Sequence, residues 1–159
     1  MSRKRPKHNS NEVPQITWNR AARIFHHALP PKALEEQQFD HMPDKLWQLS
    51  QTPYPKIDFS DLWYYLGDLT YCELQQDLFD YLFPVCLMDW HFTLMRDESC
   101  QHEFEFHRAM RNGNIFQKMM NNDQRQEVFE FFRDSFLERL DSESESVTST
   151  SVRLKPKWI

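Results

Sequence analysis

The stretch TYCELQQDLFDYLFPVCLMDWHFTLM, Thr70 to Met95, decides the fold class. Leu74, Leu78 and Leu82 recur at every fourth residue with Tyr81 and Val85 beside them, the period of a helix that turns one face inward. Pro84 interrupts the pattern. A proline donates no backbone hydrogen bond and crowds the carbonyl four residues back. The stretch therefore reads as two helices, Thr70 to Phe83 and a second that starts at Pro84 and ends near Met95.

The same period continues on both sides. Downstream, Glu103 to Asn112 is predicted helical and stopped by Gly113. The clearest helix follows, with Asn122 as cap and Asp123 in its first turn. Val128, Phe132, Phe136 and Leu140 lie four apart along it, and Arg133 and Arg139 sit towards the negative end of its dipole. Upstream, Ser60 is the expected cap of a helix over Asp61 to Leu66, with Gly67 as its stop, and the prolines between Gln51 and Pro55 impose an extended link. Asp44 caps a short turn bearing Leu46, Trp47 and Leu49. Thr17 caps a helix to Leu29 that Pro30 and Pro31 end, and Pro31 opens a further helix over Lys32 to Phe39. Strand alternation and hairpin turn signals are missing, so the expected class is all-α, a compact single-domain bundle of about six to eight short helices.

Composition sets the outer bounds. The 159 residues suit one domain, and 40% hydrophobic content with 14% aromatics is enough apolar material to offset the ordering entropy of the chain. Two glycines are too few for a Rossmann or P-loop phosphate cradle, which excludes nucleotide enzymes of those types. Residues 1–15 carry Arg3, Lys4, Arg5 and Lys7 and read as a basic arm, 16–141 as the helical domain, and 142–159 as a Ser-rich tail in which Trp158 and Ile159 could dock. The basic start has no apolar run behind it, so it does not read as an export signal. The longest apolar stretch, Tyr81 to Met88, falls far short of the roughly 20 residues a membrane span needs. Three cysteines, Cys72, Cys86 and Cys100, are an odd number in a chain long enough to fold without staples, which points to reduced thiols and a cytoplasmic setting.

Catalytic and metal-binding patterns are weak. Cys86, His91, Cys100, His102 and His107 lack the paired C-x2-C knuckle of structural zinc. His102-Glu103-Phe104-Glu105-Phe106-His107 misses the zincin spacing by one residue, which at about 100° per residue swings the second histidine off the face of the first. No His stands three residues after any Glu, and no G-x-S-x-G elbow occurs. The expectation is no catalytic residue, no metal and no cofactor. The second-ranked reading is a small helical enzyme or metal-binding protein that uses the Asp, His and Cys residues between Asp89 and His107.

Charge placement is the informative feature. Ile57 to Glu98 contains nine acids and one base, Arg96, a local charge of −8 within a chain of −5. Glu73, Asp77 and Asp80 stand at i, i+4 and i+7, so on one helix they form a ridge opposite the leucines, without the basic residues that exposed helices intersperse. Tyr64 and Tyr65 lie in the same stretch, as do Trp63 and Tyr71, and aromatic rings beside acids compose a protein-binding surface. The expected partner-binding residues are Asp61, Tyr64, Tyr65, Asp68, Glu73, Asp77 and Asp80, facing a basic protein. Nucleic acid is disfavoured for the folded part, because phosphate attachment needs clustered cations; the Arg3 to Lys7 arm is the exception.

Two segments, DLFDYLFPVCLMDW at 77–90 and NNDQRQEVFEFFRDSFLERL at 121–140, give the chain a likeness in family terms. It resembles small acidic helical proteins of bacterial cytoplasm that are uncharacterised or serve as immunity partners of secreted polymorphic toxins. The resemblance implies a protein that binds and blocks a basic toxin without catalysis. An adaptor or subunit carrying the same acidic face is the remaining alternative.

Overall fold

The computed structural model describes residues 13–96, 101–111 and 114–151. Among them are seven α-helices: α1 (Gln15–Ile24), α2 (Pro43–Gln51), α3 (Trp63–Tyr71), α4 (Gln76–Arg96), α5 (Gln101–Arg111), α6 (Asn114–Lys118) and α7 (Asn122–Ser151). Two 3-10 turns, Tyr54–Lys56 and Phe59–Leu62, join α2 to α3, and the class is all-α. No helix among the described residues is long and apolar enough to cross a membrane.

Helix α4 is the axis of the bundle. Fourteen of its 21 residues are buried, and they occur on all sides of the helix. A helix apolar all round has to be enclosed, and α1, α2, α5 and α7 all pack against it, while α3 layers onto α5. Rings run along the contact: Phe79 stacks on Phe83 at 4.6 Å, Phe25 at the end of α1 meets both edge-on, Phe106 of α5 lies 6.0 Å from Phe83, and Trp90 meets Phe132 and Phe136 of α7.

Pro84 does not split α4, contrary to the sequence expectation of two helices. A proline leaves the carbonyl four residues back, here that of Asp80, without its helix bond. The Tyr81 carbonyl is met from outside the helix, accepting from the Tyr54 hydroxyl at 2.8 Å, and the Tyr81 hydroxyl donates to the Thr52 carbonyl at 2.9 Å. The two rings stack at 4.6 Å. The ring of Pro84 is itself buried, so packing from several helices outweighs a defect of about 3 kcal/mol.

Other boundaries move for equally local reasons. Helix α1 starts at Gln15 and ends at Ile24, five residues before the expected Leu29, because His26 and His27 take left-handed φ values of 54° and 52° and the His27 N–H closes back on the Ala22 carbonyl. No helix forms over Lys32 to Phe39. Asp58, not Ser60, is the cap: its Oδ1 accepts from the Ser60 N–H at 3.0 Å and opens the 3-10 turn that leads into α3. Gly67 lies inside α3 instead of ending it. The cap of α7 is Asn121, one residue earlier than expected. Its Oδ1 accepts from the Gln124 N–H at 2.8 Å while the Gln124 Oε1 accepts from the Asn121 N–H at 3.0 Å, a reciprocal capping box. Helix α7 then runs past Asp141 to Ser151, so the first part of the expected Ser-rich tail is helical backbone. Most of the expected basic arm, residues 1–12, and the tail segment 152–159 lie outside the described residues.

Phe83, fully buried against α1 and α5, should carry more of the fold than Leu137, about half exposed on α7. Replacing Phe83 by Ala should cost about 3–5 kcal/mol in urea unfolding, and Leu137→Ala should stay within about 0.5 kcal/mol. Equal costs would mean that α4 is not the axis of stability.

Candidate functional site

The residues from Glu35 to Met42 follow no regular element, and side chains of the α3–α4 region hold their backbone. Gln75, in the break between α3 and α4, accepts from the Glu35 and Glu36 N–H groups at 2.7 and 3.3 Å, and its Nε2 donates to the Ala33 carbonyl at 2.8 Å. Glu36 answers by accepting the Gln75 N–H at 2.7 Å. The Gln38 amide donates to the Tyr64 carbonyl, and the Phe39 N–H donates to the Asp68 Oδ1 at 2.7 Å. These bonds are why the expected helix over Lys32 to Phe39 does not form: its backbone donors are spent on α3 and on Gln75.

A buried pair of carboxyls lies beneath this loop. Glu36 and Asp68 are both buried, and their remaining oxygens, Oε1 and Oδ2, have no protein N–H or O–H donor. Each carboxyl raises the cost of ionising the other in this buried setting, so the pair favours holding a proton. Burial pushes Glu36 up to about 8 from an ordinary 4.5, against the pull of the Gln75 N–H and with Asp68 reinforcing it. Asp68 is also raised by burial, but the Phe39 N–H, Glu36 and the Cys72 thiol pull it back. The proton therefore resides on Glu36.

The expected contact residues divide into two groups. Tyr65 (0% exposed) and Asp68 (1%) are interior and cannot touch a partner, a correction to the sequence reading that follows from the inward face of α3. Asp80 is half-buried, accepts from the Gln76 amide at 2.9 Å, and is raised by burial. Glu73 stands in the break before α4, so it does not continue a helical ridge with Asp77 and Asp80. Asp77 lies in the first turn of α4, where its Oδ1 accepts from Gln75 and from the Leu78 N–H. Asp61, Glu73 and Asp77 are exposed and Tyr64 is half-buried.

The aromatic part of the face lies between the Glu35 to Met42 loop, α3 and α5. Phe39 (50% exposed), Trp63 (37%) and Tyr71 (52%) line a pocket of about 300 Å³ with Asp40, Gly67, Glu105 and Arg108. Phe39 stacks on Tyr71 at 4.6 Å. Gly67 permits this: a Cβ there would stand 3.2 Å from the Phe39 ring. Arg108 donates to the Tyr71 hydroxyl at 2.7 Å, lies 3.7 Å from Glu105, and stacks over Phe104. Trp63 and Tyr71 belong to the aromatic stretch visible in the sequence. Glu36, Phe39, Gln75 and Arg108 do not, and nothing in their spacing signals that they converge.

The described members of the Asp89 to His107 set do not converge as a ligand group. Cys86 is buried, His107 accepts from the Trp90 indole at 3.1 Å, and Cys100 and the side chain of His102 lie outside the described residues. Among the described residues no three His, Cys, Asp or Glu side chains converge as metal ligands. His91 instead pairs through Nδ1 with the Ser135 hydroxyl at 2.9 Å, at the floor of a cleft of about 680 Å³ between α1 and α7. Burial lowers the His91 pKa, so the imidazole is neutral. Ser135 is in mid-helix, where neighbouring N–H groups are spent on helix bonds and supply no oxyanion donors. Comparison with family models, with curated proteins and with solved structures finds no match to this chain.

The carboxyl pair has a pH consequence. Between about pH 4.5 and 8 the folded chain keeps a proton on Glu36 that the unfolded chain releases. Its contribution to stability is therefore fully present below that window and is lost as pH rises through it. Thermal unfolding of Glu36→Gln, which preserves the acceptor for Gln75 and offers Asp68 a permanent donor, should show a flatter fall in midpoint across the window than wild type. Parallel profiles for the two proteins would show that no proton is held at this pair.

Proposed function

We propose that this protein is a non-enzymatic binding protein that docks a basic protein partner through its acidic, aromatic face. The observation that carries the reading is the group of half-exposed rings, Phe39, Trp63 and Tyr71, gathered with Asp40 and Glu105 between the loop and α5. Large rigid rings supply contact area at low entropic cost, and carboxylates around them select a cationic partner and speed its approach. Asp61 and Glu73, exposed just before and just after α3, extend the negative field on both sides, and Tyr64 and Asp77 adjoin them in sequence. Cys72 and Cys86, both free thiols, favour a reducing, cytoplasmic setting. Neutralisation of a basic toxin by an immunity protein is the most concrete form of this function, and a toxin encoded beside the gene would support that form.

The test is capture of partners on immobilised full-length protein, followed by binding kinetics of each one recovered. The double variant Asp61→Lys, Glu73→Lys should fold as wild type, since both positions are exposed. Its association rate should fall by about tenfold or more, and added salt should slow wild type much more than the variant. Trp63→Ala with Tyr71→Ala should act mainly on dissociation. If both double variants bind every recovered partner as tightly as wild type, the face is only solvated surface.

A further inference from the structure

We propose that the pocket between Phe39, Trp63 and Tyr71 is a binding site for an aliphatic ammonium group, presented as the lysine side chain of a partner protein. The inference rests on the docking face above and specifies the group that enters it. Three rings border the cavity, and an aromatic face attracts a cation placed within about 6 Å of its centroid. The walls are apolar enough to take a methylene stem, which lysine buries while its charge seeks a counter-ion.

The charges in the pocket are unequal in availability. Glu105 is engaged by Arg108 at 3.7 Å, and the same guanidinium is fixed to the Tyr71 hydroxyl at 2.7 Å. Asp40 forms no ion pair among the described residues, so it is the carboxylate available to an incoming cation. Two acids against one base leave the pocket net negative. An ammonium is a compact charge that needs one carboxylate and ring faces. A guanidinium gains most from a bidentate carboxylate, and one of the two carboxylates here, Glu105, already faces the protein's own Arg108. The cavity of about 300 Å³ suits one unbranched side chain better than a larger ligand.

The pocket is also held in shape. The Phe39 N–H is fixed to Asp68, the Phe39 ring rests on Gly67, and the Tyr71 hydroxyl is fixed by Arg108. A preformed wall spares the ordering cost that weakens binding to a mobile loop.

The experiment titrates the full-length protein, labelled with nitrogen-15, with Nα-acetyl-lysine methylamide and follows its amide and indole resonances. The norleucine analogue, of similar length without charge, and the arginine analogue serve as comparisons. Saturating shifts are expected at Asp40, Gly67, Tyr71 and the Trp63 indole with the lysine compound, with norleucine weaker by about fivefold or more. Asp40→Asn should weaken lysine binding by a similar factor, and Trp63→Leu should abolish it, whereas Trp63→Phe should retain part of it. Equal binding of norleucine, stronger binding of the arginine compound, or no saturating shift at these positions would overturn the proposal. If lysine fails but the Asp61, Glu73 double variant still loses its partners, the docking face stands and only the pocket assignment falls. If lysine binds while that variant and the ring variants keep every partner, the docking reading falls instead.

Discussion

The burial of α4 on every side constrains everything around it. A single helix of 21 residues with apolar side chains around most of its circumference is unstable in water by itself, and most of its stability comes from what encloses it. Helices α1, α2, α5 and α7 supply that enclosure, and the ring contacts of Phe25, Phe79, Phe83 and Phe106 show how closely they fit. Once α4 is enclosed, continuity through Pro84 follows. The helix is held from outside by many contacts, among them the Tyr54 and Tyr81 pair in the turn before Pro84, and one missing internal bond is a local loss.

Enclosing α4 leaves the short α3 to cover the loop that precedes α2, and this is where polar groups enter the interior. The inward face of α3 carries Tyr65 and Asp68 beside Leu66 and Leu69. Burying an ionised Asp68 is costly unless it receives donors, and it receives the Phe39 N–H and the Cys72 thiol. The loop that supplies the first of those donors is itself fixed by Gln75, directly ahead of α4. Phe39 and Asp40, which form one wall of the aromatic pocket, therefore take their place from a buried acid that never reaches the surface.

Helix existence was legible in the sequence because the four-residue period of Val128, Phe132, Phe136 and Leu140, and of Leu78 and Leu82, is local information. The all-α class followed from it. Boundaries were less legible, since each is decided by one or two tertiary bonds. Gly67 is an ordinary helix stop by composition, yet it sits inside α3 because Phe39 packs where a Cβ would project. The loop from Lys32 to Phe39 has helical propensity but gives its backbone donors to Gln75 and Asp68, 29 to 40 residues away. For the same reason Trp63 and Tyr71 could be noticed as aromatics among acids, while Phe39 and Arg108, which complete the pocket with them, could not.

The excess of acid in Ile57 to Glu98 changes meaning once the fold is known. Counted along the sequence it is a repulsive run of −8 that calls for an outside cation. In the fold, Asp68 is interior and its pKa is raised by burial, Asp80 is half-buried with its pKa raised, and Asp77 is tied into the start of α4. Protonation of Glu36 alone makes the chain one unit less negative near neutral pH than its formal −5. Part of the repulsion is thus relieved inside the molecule, by a proton and by helix-terminal N–H groups. The acids of this run left exposed, such as Asp61 and Glu73 at either end of α3, are fewer than the count suggested, and from outside the run Asp40 and Glu105 line the pocket with the rings. What marks this part of the surface is therefore the placing of Asp40 and Glu105 beside Phe39, Trp63 and Tyr71 in one pocket, an arrangement set by the buried Asp68 through Phe39 and not by the count of acids along the chain.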